Sequence, residues 1–148
     1  MTSKPATRPK PPDRADFKVF ESIQTRWADN DVYDHVNNVE YYGFFDTAVN
    51  HALMRAQLLD FKEGNTIGLV VHSGCKYFSS IAFPDVIEVG LRVSHIGNSS
   101  VKFDLAIFKA GETTAAAEGF FVHVYVDRQT RRPKPVPVFW RAQFERWR

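Results

Sequence analysis

NNVEYYGFFDTAVNHALMRAQLL, residues 37–59, decides the fold, because it carries a helical pattern between segments that alternate like strands. From residue 39 onward the apolar side chains recur every three or four positions, which is the spacing of one helix face: Tyr42, Phe45, Val49, Leu53 and Ala56. Further rings and aliphatic side chains make this stripe wider than that of a normal surface helix: Tyr41, Phe44, Ala48, Ala52 and Leu58. The pattern predicts a helix over residues 39–59 that is buried on most sides.

Polar residues mark the start of this helix. Asn37 is a favourable N-cap residue, and Glu40 follows three positions later. This spacing resembles a capping box, in which two side chains bond to two backbone N–H groups at the helix start. The sequence therefore predicts that Asn37 caps the helix.

Strand patterns lie on both sides of the helix. Before it, a two-residue period places one set of apolar side chains on one face and predicts a first strand: Phe17, Val19, Ile23 and Trp27. After it, four more strands are predicted, at residues 67–79, 85–96, 101–109 and 115–126. Short turns join the last three strands as antiparallel hairpins. We therefore expect an α+β fold of order β-α-β-β-β-β, with four strands in a meander and a long antiparallel sheet wrapped around one central helix.

Composition limits the class of protein. Of 148 residues, 44% are hydrophobic and 24% are charged, which is typical of globular domains. Residues 1–16 are rich in proline and basic groups and lack the apolar run of a secretory signal, so we expect a disordered tail before a single domain at 17–148.

Charge and cysteine content exclude several partners. The net charge of +2 is too small to favour nucleic acid, and no stretch approaches the roughly 18 apolar residues that a membrane span needs. Cys75 is the only cysteine, which fits a reducing compartment. The sequence therefore predicts a cytoplasmic protein without a membrane or nucleic-acid partner.

The polar segment between the first strand and the helix is the candidate for chemistry. It contains Asp29, Asp31, Asp34 and His35. Alternate acids can bind calcium, but Tyr33 occupies a ligand position and the sharp-turn glycine is missing. Zinc would need more histidine or cysteine ligands. Asx-turns that lead into a capped helix would account for most of these residues without any function.

Residues 26–38, RWADNDVYDHVNN, together with Tyr41-Tyr42 and Phe45-Asp46, resemble the signature of the 4-hydroxybenzoyl-CoA thioesterase-like family of hot-dog proteins. The later segments Val70-Val71-His72, Tyr77-Phe78 and Pro84-Asp85 fit the same family, and the similarity covers residues 17–126. The family usually has glycine before the histidine, where this chain has Asp34. Aspartate tolerates a left-handed turn better than most residues, but it adds a negative charge beside Asp31.

The resemblance implies an acyl-CoA thioesterase without metal or redox cofactor. Asp31 corresponds to the catalytic carboxylate, acting as general base or nucleophile, with His35 and Asn37 beside it. Backbone donors at the N-terminus of the helix suit the oxyanion, because free N–H groups and the helix dipole favour negative charge there. Contact with the acyl-CoA substrate is expected from the remaining candidates: Asn38, Val39, Tyr42, Ser99, Ser100 and Lys102.

The resemblance also bears on the oligomeric state and on two alternative functions. In hot-dog proteins two sheets join edge to edge, so we expect a homodimer or homotetramer. A hot-dog module that binds acyl-CoA without turnover is the alternative function, because a fold does not fix an activity. A hot-dog dehydratase or hydratase is disfavoured, because no His or Asp in that context begins the helix.

Overall fold

A computed structural model describes residues 9–148. Its regular elements are five strands and two helices, separated by loops and short 3-10 turns. In chain order they are β1 (Val19–Gln24), α1 (Glu40–Arg55), β2 (Thr66–Tyr77), β3 (Val86–Ile96), β4 (Ser100–Lys109), β5 (Ala117–Asp127) and α2 (Val138–Arg146).

The five strands form one antiparallel sheet in the order β1-β3-β4-β5-β2. The hairpins β3-β4 and β4-β5 are those that the short turns predicted. The expected meander of four strands is wrong for β2, which pairs with β5 at the far edge instead of with β3. Alternation shows which side of a strand is buried but not which strand lies beside it, so the pattern alone does not fix this placement.

The inner face of the sheet packs around α1. Seven residues of the helix are buried: Tyr41, Phe44, Phe45, Ala48, Val49, Ala52 and Leu53. Phe45 is completely buried and lies on the sheet at Gly119, where an added Cβ would come within 2.5 Å of its ring. The glycine thus permits close contact between helix and sheet. The predicted helix is thus confirmed, but its expected burial on most sides is wrong, because one face stays exposed: Gly43, Asp46, Thr47, His51, Met54 and Arg55.

The predicted helix ends differ from those observed. The helix ends at Arg55 rather than at residue 59, because Gln57 adopts a left-handed backbone with φ 60°. The N–H groups of Leu58 and Gln57 then bond to the carbonyls of Leu53 and Met54, as in a Schellman motif. Gln57 stands where such a motif usually has glycine, so the sequence gives no stop signal.

The predicted capping box is also wrong. The N-cap residue is Val39, whose own side chain makes no capping hydrogen bond. The N–H of Asn37, which Glu40 was expected to bind, donates instead to the carbonyl of Asp29 at 2.9 Å. Asn37 does accept the N–H of Val39 through Oδ1 at 3.2 Å, so it supports the turn before the helix.

The outer face of the sheet is partly covered by the chain before β1. Arg14 donates its N–H to Thr113, Pro12 accepts from Ala115, and the Arg14 guanidinium pairs with Glu88 at 3.1 Å. The predicted disordered tail is therefore wrong for residues 12–16, and residues 1–8 lie outside the described residues. Phe17 precedes β1 and is buried on this outer face, in a small apolar cluster with Ala106, Phe108 and Ala115.

The second helix covers one end of the inner face. Trp140, Phe144 and Trp147 are buried there, and the N–H of Val93 donates to the carbonyl of Trp147 at 2.7 Å. Phe139, one residue from Trp140, is exposed. Neither helix in residues 9–148 is long and apolar enough to cross a membrane.

Candidate active site

The segment before α1 folds as a tight loop closed by a bridge between Asn30 and Val36. Inside it, the N–H of Asp31 donates to the carbonyl of His35 at 3.0 Å. Asp34 has a φ of 66°, in the left-handed region where glycine is usual. Aspartate is one of the few other residues that enter this region readily, so the loop keeps its turn without glycine.

Asp29 is the structural acid of the segment. Its side chain is fully buried and accepts three hydrogen bonds from Arg26, one from the backbone N–H at 2.7 Å and two from the guanidinium at 2.7 and 3.0 Å. Its carbonyl accepts from Asn37. With both carboxylate oxygens occupied, Asp29 ties the end of the first strand to the start of the helix.

Asp31, two residues on, is in a different environment. It is only partly buried, and Oδ1 accepts the N–H of Tyr33 at 2.8 Å, which makes an Asx-turn. Oδ2 accepts no hydrogen bond from residues 9–148. One oxygen therefore stabilises the turn while the other stays available to a water molecule or a substrate.

Asn38 carries a free N–H at the start of α1. The N–H groups on either side are used: that of Asn37 by Asp29 and that of Val39 by the Asn37 side chain. The N–H of Asn38 has no acceptor within residues 9–148. It is thus the one donor among residues 37–39 that an incoming oxygen can use.

Two tyrosines form a wall beside Asn38. Tyr77, the last residue of β2, donates its hydroxyl to the Asn38 carbonyl at 3.1 Å. Its ring packs edge to face against Tyr41, with centroids 4.9 Å apart. Burial is the main cause that raises the pKa of both Tyr77 and Tyr41 above the ordinary value, so both hydroxyls stay protonated near neutral pH.

These groups line a cleft of 320 Å³. Of the predicted site residues it brings together three: Asp31, His35 and Asn38. The rest of its lining comes from α1, the end of β2 and the loop after it: Val36, Tyr41, Tyr77, Phe78, Ser79 and Ser80. In the sequence, Tyr77-Phe78 contributes only to the family resemblance, and no role is predicted for the pair.

The other predicted site residues do not line this cleft. Asn37 and Val39 lie beside it, with Val39 exposed and Asn37 engaged in backbone bonds. Tyr42 packs partly buried against the core, near Phe45. Within the chain, these three residues shape the helix start and the core rather than the cleft wall.

Ser99, Ser100 and Lys102 belong to the β3-β4 hairpin. The carbonyls of Ser99 and Ser100 accept from the N–H groups of Tyr125 and Gly97. Lys102 lies over the Phe120 ring, with 4.9 Å from Nζ to the centroid, and lines a separate depression on the outer face of the sheet. Within one chain, these three residues therefore do not line the Asp31 cleft.

Metal ligands do not converge at the loop. Across residues 9–148 no group of three or more His, Cys, Asp or Glu side chains is arranged to hold a metal ion. Arg26 already occupies the Asp29 carboxylate, which weighs against the calcium interpretation of the alternating acids.

Comparison with known proteins gives the family context. No curated protein matches this chain. The crystal structure of the PA5185 protein from Pseudomonas aeruginosa PAO1 has 50% sequence identity, with 95% of this chain and 97% of that chain covered and a TM-score of 0.91.

More distant structures share the fold. The 1,4-dihydroxy-2-naphthoyl-CoA thioesterase Slr0204 from Synechocystis is 20% identical, covers 84% of this chain and 93% of its own length, and has a TM-score of 0.75. A thioesterase superfamily protein from Jannaschia sp. CCS1 is 21% identical, covers 88% of this chain and 82% of its own length, and has a TM-score of 0.80. The sheet wrapped around α1 is thus the predicted hot-dog fold.

Residues 25–144 match the family described as the Thioesterase-like superfamily. The matched region includes the Asp31 loop, α1, all of β2 to β5 and most of α2. Since this is most of the chain, the protein belongs to the Thioesterase-like superfamily, as the resemblance of residues 26–38 predicted.

Proposed function

We propose that this protein hydrolyses an acyl-CoA thioester to a free acid and CoA at the Asp31 cleft. The observation that carries the proposal is the pairing of two unused groups in one cleft: the Oδ2 atom of Asp31 and the N–H of Asn38. Membership of a thioesterase-like superfamily gives the reaction class, and the CoA thioester named for the Synechocystis relative supports the substrate class.

The proposed reaction places negative charge near the start of α1. As an oxygen nucleophile attacks the thioester carbonyl, the carbonyl oxygen becomes negative. An N–H at a helix N-terminus stabilises that charge through a hydrogen bond and the helix dipole. In this proposal the Asn38 N–H holds the oxyanion, and Asn37 acts indirectly by fixing the turn that presents it.

Asp31 supplies the nucleophile by one of two routes. As general base it takes a proton from water, whose oxygen then bonds to the carbonyl carbon. As nucleophile it attacks the carbon itself and forms an anhydride that water later cleaves. In both routes the C–S bond breaks and the thiolate leaves with little need for acid assistance. His35, whose exposed side chain lines the same cleft, is suited to orient the water.

Association between copies is part of the proposal. One side of β2 pairs with β5, and β2 stands at the edge of the sheet with Leu69, Val70 and Val71 exposed. An open edge strand with apolar side chains favours pairing with another strand. We propose a dimer formed through β2, which would also place residues of a second copy near the cleft. Light scattering that gives only the 17.0 kDa monomer at micromolar concentration would contradict it.

The test of the function is release of thiol from a panel of acyl-CoAs. Acetyl-CoA, hexanoyl-CoA, palmitoyl-CoA and benzoyl-CoA cover short, medium, long and aromatic acyl groups. Steady-state release of free CoA from at least one of them, with many turnovers per protein molecule, is the expected result. Binding without release across the panel would favour the non-catalytic module instead.

A further inference from the structure

We infer that Tyr77 is a positioning residue for the proposed reaction, acting through the carbonyl of Asn38. The inference rests on the proposed function, because it concerns the donor that would hold the oxyanion. Its starting point is the 3.1 Å hydrogen bond from the Tyr77 hydroxyl to the Asn38 carbonyl, made across 39 positions of the chain.

The two peptide groups that flank Asn38 are both held by other groups. The Asn37 carbonyl, in the peptide before Asn38, accepts the N–H of Glu40 at 3.0 Å. In the peptide after it, the N–H of Val39 donates to the Asn37 side chain and the Asn38 carbonyl accepts from Tyr77. The free Asn38 N–H belongs to the first of these peptides, and the bond from Tyr77 limits rotation of the second peptide relative to it.

Tyr77 is itself firmly held. It pairs with Ala117 of β5, and the N–H groups of Phe78 and Ser79 both donate to the carbonyl of Ala116. On its other side the ring packs against the buried ring of Tyr41. The hydroxyl is therefore a donor on a rigid support, which is what precise orientation of a backbone group requires.

The hydroxyl also lowers the negative charge on the Asn38 carbonyl. This carbonyl belongs to the same residue as the proposed oxyanion donor, and negative charge on it would oppose the charge that develops on the substrate. The hydrogen bond from Tyr77 offsets part of that negative charge. The same bond polarises the peptide that includes the Val39 N–H. Loss of the hydroxyl should thus affect the transition state more than the bound substrate.

The test compares Tyr77→Phe with Tyr125→Phe. Tyr77→Phe keeps the ring and its packing on Tyr41 and deletes only the hydroxyl. Tyr125→Phe deletes a buried hydroxyl that has no partner in the part of the chain described, so it controls for loss of an OH from the same sheet. The substrate is the acyl-CoA of the panel that the wild type hydrolyses fastest.

We expect Tyr77→Phe to lower kcat about 3- to 10-fold, the usual effect of one hydrogen bond, with KM changed less than about twofold. Tyr125→Phe should match the wild type. In ¹H–¹⁵N spectra of Tyr77→Phe, the Val39 amide nitrogen should shift upfield and its hydrogen should exchange faster, because the peptide loses its support at Asn38. An unchanged kcat, a loss confined to KM, or an unchanged Val39 amide would each overturn the inference.

Asp31→Asn, measured in parallel, separates this inference from the proposed function. If Asp31→Asn is inactive while Tyr77→Phe keeps full activity, the function stands and the role of Tyr77 is wrong. If the wild type hydrolyses no acyl-CoA of the panel, the function fails, and the Val39 amide alone decides whether Tyr77 orients this peptide.

Discussion

Within residues 9–148, polar groups without hydrogen-bond partners lie near both ends of β5, accessible at one end and buried at the other. At its start, beside Tyr77 and the cleft, the unused atoms belong to Asp31 and Asn38, which a substrate can reach. Near its end, both ring nitrogens of His123 and the hydroxyl of Tyr125 also find no partner among residues 9–148, but they are buried.

The comparison indicates that an unpaired group or one with a shifted pKa is a candidate site only where a ligand has access to it. Burial lowers the pKa of His123 to about 4. Its ring lies among Phe103, Phe121 and Tyr125, on the face of the sheet against which α2 packs. Shifted pKa values occur at both ends of the strand, because burial also raises the pKa of Tyr77 beside the cleft. They therefore do not locate the candidate site without the geometry.

The largest expected effect is on the rate of Asp31→Asn. The amide keeps the shape of the carboxylate, and its oxygen still accepts the N–H of Tyr33, so the turn should persist. Loss of a positioned base or nucleophile lowers kcat by roughly 10²–10⁴-fold. Thiol release and circular dichroism measure rate and fold together. Asp34→Asn is the matched control, because it removes an exposed charge from the same loop; equal losses in both variants would refute the special role of Asp31.

The second effect is on stability and arises at the buried end of β5. Below pH 6.5 the unfolded chain protonates His123, whereas the folded protein takes up this proton only near pH 4. The free energy of unfolding should thus fall as the pH drops from about 6.5 to 4, by up to about 3 kcal/mol, with no contribution from this group above that window.

His123→Phe isolates this contribution. Urea unfolding of the variant should show a shallower fall between pH 6.5 and 4 than the wild type, with activity at pH 7.5 unchanged. His95→Gln, which changes an exposed histidine of the neighbouring hairpin, should retain the wild-type slope. Loss of activity in His123→Phe without loss of fold would contradict the claim that His123 contributes to stability and not to the reaction.

The third effect concerns Asp29, the buried acid that pairs with Arg26 in the same loop. In Asp29→Asn, the amide nitrogen must face the donors of Arg26, so one charge-assisted bond is replaced by a donor-donor contact. We expect a loss of about 2 kcal/mol in the free energy of unfolding. Well below the melting temperature, kcat should fall less than tenfold. A 10²-fold loss of rate with unchanged stability would contradict this assignment and indicate that Asp29, rather than Asp31, acts in the chemistry.

The smallest effect is expected from Asp34→Gly. Glycine adopts a φ of 66° without strain, so it preserves the turn, although it costs some entropy in the unfolded chain. The melting temperature and kcat should both stay close to wild type. Asp34→Val is the informative contrast, since a β-branched residue is strained at this φ and should disorder the loop and lower activity.

Much of this fold could be predicted because it depends on local periodicity. The pattern in residues 39–59 identifies α1, and alternation identifies all five strands. The position of β2 beside β5 could not be predicted, because alternation carries no information about neighbours. Pro12 and Arg14 were missed for a similar reason, since their partners lie about a hundred positions away.

The sequence likewise predicts only part of the candidate site. Asp31 and His35 stand in a contiguous motif, so a family resemblance finds them. Tyr77 acts through a partner in a different element, and nothing in the sequence around it indicates the bond to Asn38. The resemblance already separates Asp31 from Asp29, and the fold adds a physical reason, because Asp29 is buried against Arg26.

The most direct test of the central claim follows the oxygen of water into the product. The protein is incubated with the acyl-CoA that it turns over fastest, in water enriched with ¹⁸O, and both products are weighed by mass spectrometry. We predict that the free acid gains one ¹⁸O per molecule over many turnovers, that CoA gains none, and that Asp31→Asn forms little of either. Acyl-CoA that remains intact although bound, or an acid that forms equally fast with Asp31→Asn, would contradict the account.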